Sequence, residues 1–128
     1  MKLQTINKQD IPDWEFGDVV IKKFSFADKI KMAGFVSNVS VKKNVIEQRD
    51  VEKIDTDTLG IYTFAAGIHS VKDKDNYEFI MKPHSFIDDK VKFVIRDDIE
   101  YSAGQYILEQ IKVFNQEIID NELKKKLN

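Results

Sequence analysis

The longest run of helical periodicity lies at the end of the chain. From Tyr101 to Leu127, apolar residues recur at Ile107, Leu108, Ile111, Phe114, Ile118 and Ile119, with polar residues on the other face. Ser102 and Gln105 have the S-x-x-Q spacing of a capping box, and Tyr101 and Tyr106 occupy the positions of a hydrophobic staple. Lys124, Lys125 and Lys126 suit the negative end of such a helix, whose last residues, 121–128, are expected to fray. A stripe of this length must bury against a core or a partner.

Upstream the pattern is more broken. Residues 1–13 read as a loose leader because Pro12 and a polar run interrupt any helix there. Trp14 to Asp18 forms a compact turn that leads into a β-branched strand, Val19 to Phe24. Ser25 is placed to cap a first helix, Phe26 to about Val36, with Asp28 at its third position. Val39 to Lys53 alternates weakly and fits strand, helix or loop. Thr58 to Val71 carries two helical stripes, one of them Ile61, Phe64, Ala65, Ile68 and Val71. Ile61, Thr63 and Ala65 also alternate, so a hairpin through Asp73–Asn76 into Tyr77–Met81 remains open for the same stretch. Tyr77 to Met81 reads as a strand ended by Pro83, and Val91 to Ile95 as another. The expectation is one α+β domain dominated by helices, with two or three short strands and a long C-terminal helix.

Composition narrows the chemistry. The 128 residues suffice for one domain whose core needs no disulfide or metal. Cysteine is absent, which excludes thiol catalysis and thiolate zinc sites. The first residues carry no apolar signal core, and no run is long enough to cross a membrane, so a cytoplasmic protein is expected. Net charge is −2, and only Arg49 and Arg96 among the 20 basic residues are arginines, which argues against nucleic acid or anionic membrane as partner. The residual nucleic-acid reading rests on Lys22, Lys23, Lys42, Lys43 and the terminal lysines.

The histidines, His69 and His84, lack metal-site spacing. A small hydrolase or metal enzyme would have to use one of them with a nearby Asp; the expected place of His69 is the core and of His84 a surface loop. Asp73, Asp75 and Asn76 open like a calcium loop, but its sixth position is Glu78 and its twelfth His84, so a polar turn is expected. The five glycines form no phosphate-binding fingerprint. No catalytic residue, cofactor or metal is expected, and the protein reads as a non-enzyme that binds a partner.

The order of the pieces carries a resemblance. A Trp14-x-Phe16-Gly17 opening precedes a strand, then SFADKIKMAGF, then LGIYTFAAGIHSV, then extended segments, then a helix through ILEQIKVFNQEI. Over residues 14–119 this resembles the small tail assembly chaperones of long-tailed phages and prophage-like elements of low-GC bacteria. The resemblance implies a non-enzymatic protein of the host cytoplasm that binds the tape measure protein, keeps its hydrophobic helices dissolved and assists tail tube polymerisation. It brings the tail tube protein and a homo-oligomer into view as further partners. It also implies a longer frameshifted form, with which Lys124–Lys126 is compatible. The family is built mostly of helices, and Val19–Phe24 and Val91–Ile95 depart from that. The residues expected to contact the partner are Ile107, Ile111, Phe114 and Ile118 on the last helix and Ile61 and Phe64 on the second. The alternative is a small interaction domain with a different client.

Overall fold

The computed structural model describes residues 2–31 and 59–117. Its centre is an antiparallel sheet of four strands in the order β1-β2-β3-β4: Leu3–Ile6, Val19–Lys22, Ile68–Lys72 and Phe79–Met81. Helical residues 26–31 (α1) follow β2, and residues 59–67 (α2) run directly into β3. Helix α3 is Ile87–Val94 and α4 is Tyr101–Phe114. The expectation of a helix-dominated domain with two or three strands is therefore corrected: the sheet organises the described residues. The long C-terminal helix is corrected as well. Helix α4 has 14 residues and ends at the Asn115 cap; residues 118–128, including Ile118 and Ile119, lie outside the described residues.

Strand β1 occupies what reads as a loose leader. Its pairing runs from Leu3 opposite Lys22 to Ile6 opposite Val19. Ile6 and Ile11 are buried, and Asp13 adopts a left-handed backbone (φ 53°) as the chain turns back. Trp14 closes that turn by donating its indole N–H to Gly17 O at 2.8 Å. A leader with one buried strand residue in four shows almost no amphipathic signal; its pairing with β2 is what makes it a strand.

The stretch 58–71, open between helix and strand, divides. Residues 59–67 are helical and 68–72 form β3, so the hairpin into β4 also exists. Gly67 stands at the junction, where an added Cβ would overlap Ile111 Cγ2. The missing side chain lets α4 close onto the sheet. The β3–β4 turn is built by the acidic residues that open like a calcium loop. Asp73 accepts the N–H groups of Tyr77 (2.9 Å) and Glu78 (3.2 Å). Asn76 takes φ 61° and its Oδ1 accepts the Asp18 N–H at 2.8 Å. The Asp73 bonds are local Asx bonds that fold the turn, and the Asn76 bond ties the turn to the residue before β2.

The expected strand at Val91–Ile95 is corrected to helix. Lys90 and Phe93 face inward at a three-residue step, and Asp88 and Asp89 favour the first turn of α3. Four β-branched or aromatic residues among these five fit either period, and the tertiary contact of Phe93 decides. Helix α4 begins at Tyr101, close to the expected start, but not by the expected capping box. Glu100 is the N-cap residue without a side-chain bond, Ser102 Oγ donates to Asp13 Oδ2 at 2.6 Å, and Tyr101 is exposed. At the first helix Ser25 caps as expected, and Asp28 reciprocates to complete a capping box: Asp28 N donates to Ser25 Oγ (3.1 Å) and Ser25 N to Asp28 Oδ2 (2.8 Å).

One face of the sheet, with Val19, Ile21, Ile68, Val71 and Met81, joins Ala103, Ile107 and Ile111 of α4 in the core, together with Phe64 and Phe93. Each of the fully buried isoleucines contributes about 1.5–3 kcal/mol by leaving water. Asn115, fully buried after α4, ties that layer to the sheet. Its Oδ1 accepts Phe24 N–H at 2.8 Å, and its Nδ2 donates to Ile111 O at 2.9 Å and Lys22 O at 3.3 Å. No described helix is long and apolar enough to cross a membrane.

Candidate functional site: the outer face of the sheet

Of the residues expected to meet a partner, three belong to the interior. Ile107 and Ile111 are fully buried and Phe64 is buried beside them. Phe114 is half-buried against the core, with Lys23 Nζ 5.2 Å from its ring centroid, and Ile61 is half-buried. Ile118 lies outside the described residues. A stripe at helical spacing reports burial without saying whether the chain or a partner supplies the cover; here the sheet supplies it.

What remains is the opposite face of the sheet. Period-2 alternation puts Leu3, Thr5, Val20 and Lys22 on that side of β1 and β2, opposite the buried Ile6, Val19 and Ile21. Two irregularities broaden it. Val20 pairs with Ser70 but Ile21 with Ile68, which leaves His69 as an extra residue in β3. Val71 pairs with Met81 but Lys72 with Phe79, which leaves Ile80 extra in β4. Such bulges re-aim side chains at a strand.

One end of this face is a mostly apolar groove of about 480 Å³ lined by Leu3, Val20, Phe79 and Pro83, together with the polar Thr5, Asp18, His69, Ser70, Lys72 and Asn76. Leu3 is 47% exposed and Phe79 39%. The Lys72 ammonium lies 3.9 Å from the Phe79 ring centroid, an arrangement in which the cation and the ring face attract.

The other end is a cavity of about 410 Å³ between β2, β3, α1 and the start of α3. Lys22, Lys31, His69, His84 and Lys90 bring cationic or titratable nitrogen to it, and Asp28 and Asp88 bring carboxylates. Lys22 Nζ is paired with Asp28 Oδ2 at 2.6 Å, largely out of water. Burial pushes the Asp28 carboxyl up, but the Lys22 ammonium and the Ser25 N–H outweigh that and hold it below its ordinary value. The rings of His69 and His84 meet edge to face with centroids 5.6 Å apart. His69 Nδ1 is 3.2 Å from Ser70 Oγ. Burial, and then the charges of His84, Lys90 and Lys22, keep the His69 imidazole below its usual range. His84 is held in a left-handed backbone (φ 62°) between β4 and α3.

Lys90 is the unusual member. It is only 7% exposed, and no hydrogen-bond acceptor or ion-pair partner meets its ammonium among the described residues. Burial pushes its pKa down to about 8; Lys22 and Lys31 add to the shift while Asp28 opposes it. Only with 87–94 read as a helix does Lys90 fall on the inward stripe with Phe93.

The rival chemistries can be placed on this geometry. Among the described residues no carboxylate hydrogen-bonds either imidazole, and no group of three metal-ligating side chains forms. Of the lysines considered for nucleic acid, Lys22 is committed to Asp28 and Lys23 to the Phe114 ring, and Lys42, Lys43 and the terminal lysines lie outside the described residues. In comparisons with known proteins the chain matches no protein-family model, no curated protein and no solved structure.

Proposed function

We propose that the chain is a non-enzymatic client-binding protein of phage tail assembly. Its client is the tape measure protein, and its docking surface is the outer face of the sheet rather than the last helix. The carrying observation is the apolar groove of Leu3, Val20, Phe79 and Pro83, which no described element covers. A groove of this shape accepts apolar side chains presented at three- and four-residue steps by an amphipathic helix. Tape measure proteins are long and helical, and such helices aggregate when bare, so a partner that shields them must itself display apolar surface. The Lys72 side chain over Phe79 adds a cation at the rim for the polar flank of the client helix. The order of pieces in the sequence, which resembles that of tail assembly chaperones, motivates the same reading.

Co-expression with the candidate tape measure protein tests it. The client should become soluble and co-elute with this chain, and Phe79→Asp together with Leu3→Asp should abolish co-elution while leaving the fold intact by circular dichroism. Equal client solubility with and without this protein, and no complex, would refute the chaperone reading. A complex that survives both charge substitutions would refute the groove as its contact surface.

A further inference from the structure

The cavity at the other end of the sheet has a chemistry that a hydrophobic client does not use. Its buried Lys90 ammonium has lost its water without gaining an acceptor among the described residues, which costs free energy. Of the two described carboxylates that line the cavity, Asp28 is already engaged by Lys22 and by the Ser25 N–H, and Asp88 is exposed at the start of α3. The start of α3 presents donors to the same space. Its N-cap residue is Phe86, which has no side-chain acceptor, while Asp89 and Lys90 N–H bond to Phe86 O. The N–H groups of Ile87 and Asp88 thus have no acceptor among the described residues, and both residues line the cavity. Two imidazoles and the Lys31 ammonium bring further donors, beside the Asp28 and Asp88 carboxylates. A carboxylate has too few oxygens to satisfy this set. A phosphoryl group has three, and free helix N-terminal N–H groups are suited to it. The volume of about 410 Å³ exceeds what inorganic phosphate fills and lies within the usual range for an organic ligand. Phe86 and Ile87 offer apolar surface for the remainder of such a ligand.

We propose that this cavity is a binding site for a phosphate monoester. Its phosphoryl oxygens sit against Lys90, the histidine pair and the first turn of α3, and its organic part lies along Phe86 and Ile87. The site does not depend on the client reading, because it is complete within the chain.

The test uses the intact protein at constant ionic strength. Phenyl phosphate, inorganic phosphate and chloride are each titrated while the His69 and His84 ring proton resonances and the heat of binding are followed. Phenyl phosphate should saturate at or below about 1 mM, and more tightly than inorganic phosphate. Lys90→Met should weaken it at least about tenfold, because the buried cation is removed. Lys31→Met, an exposed position that does not threaten the fold, should weaken it by about threefold, and Lys72→Met, outside the cavity, should not change it. Responses to phenyl phosphate no larger than those to chloride would overturn the site. Unchanged affinity in folded Lys90→Met, or in Lys31→Met should the former not fold, would also overturn it. Equal affinity for the two phosphates would overturn the assignment to an ester.

Discussion

Gly17 offers a sharp test of how the β3–β4 turn is held against the rest of the sheet. A methyl group there would overlap Asp73 O and Asn76 Oδ1 and would lie 2.9 Å from Lys72 Cβ. Two of these three neighbours are backbone or backbone-adjacent atoms, and Asn76 is fixed by its own turn, so none yields cheaply. For Gly17→Ala to fold, the turn must lift away. That movement breaks the bonds Gly17 N–H to Lys72 O (2.9 Å) and Asp18 N–H to Asn76 Oδ1 (2.8 Å). Two hydrogen bonds at about 1 kcal/mol net each, with about 1–2 kcal/mol of residual overlap strain, give a cost of about 3–4 kcal/mol, a large share of the total for a domain of this size. The control is Gly60→Ala in α2, where an added Cβ meets nothing within 4 Å; alanine should stabilise that helix by about 0.5–1 kcal/mol. Urea unfolding followed by Trp14 fluorescence measures both, since Trp14 donates to Gly17 O within the same turn. The midpoint should fall for the first variant and rise for the second at constant slope. Gly17→Ala within about 0.5 kcal/mol of the parent, the range of a neutral surface change, would refute this account of the turn.

Asn115→Ala leaves the Phe24 N–H without its acceptor in the interior, and should cost about 2–3 kcal/mol in the same assay. Lys90 makes stability depend on pH in alkali. Its pKa is about 8 in the folded protein and about 10.4 in an unfolded chain. Between those values the unfolded state binds more protons, so stability should rise with pH across that window until Tyr62, whose pKa burial raises above 10.0, begins to oppose it. Lys90→Met should be more stable than the parent by about 1 kcal/mol at neutral pH, and the difference should shrink towards pH 10; a constant difference would show that Lys90 is not held in a desolvated position. On the acid side, His69 has its pKa lowered by burial. Its stabilising contribution is therefore present above the ordinary histidine value and declines as pH falls below it, and His69→Asn should remove that part of the acid slope in a thermal-melt series.

Some of this protein was readable from neighbours in the chain. The Ser25–Asp28 capping box, the Asp73–Asn76 turn, the strands around Val19–Lys22 and Phe79–Met81, and the start of α4 near Ser102 all depend on residues a few positions apart. Local hydrogen bonds and side-chain periodicity settle such features before any distant contact forms. The inward stripe of Ile107 and Ile111 was equally legible, because a three- and four-residue step fixes which face must leave water. The rest was decided by packing. Leu3–Ile6 is a strand because β2 offers it a ladder, and 87–94 is a helix that turns Lys90 and Phe93 inward together. Residues 59–72 change from helix to strand where Gly67 gives way to the contact with Ile111. The identity of the open surface also lay beyond the sequence. Periodicity says that Ile107, Ile111 and Phe64 are covered but not by what; the answer is the chain's own sheet, whose other face leaves Leu3, Val20 and Phe79 at an open groove. Lys22, His69, His84 and Lys90 come from four separate segments, and only the closure of the sheet against α1 and α3 places their nitrogens around one cavity. Long-range closure of this kind is paid by the whole core at once, so no single stretch of sequence carries its signature.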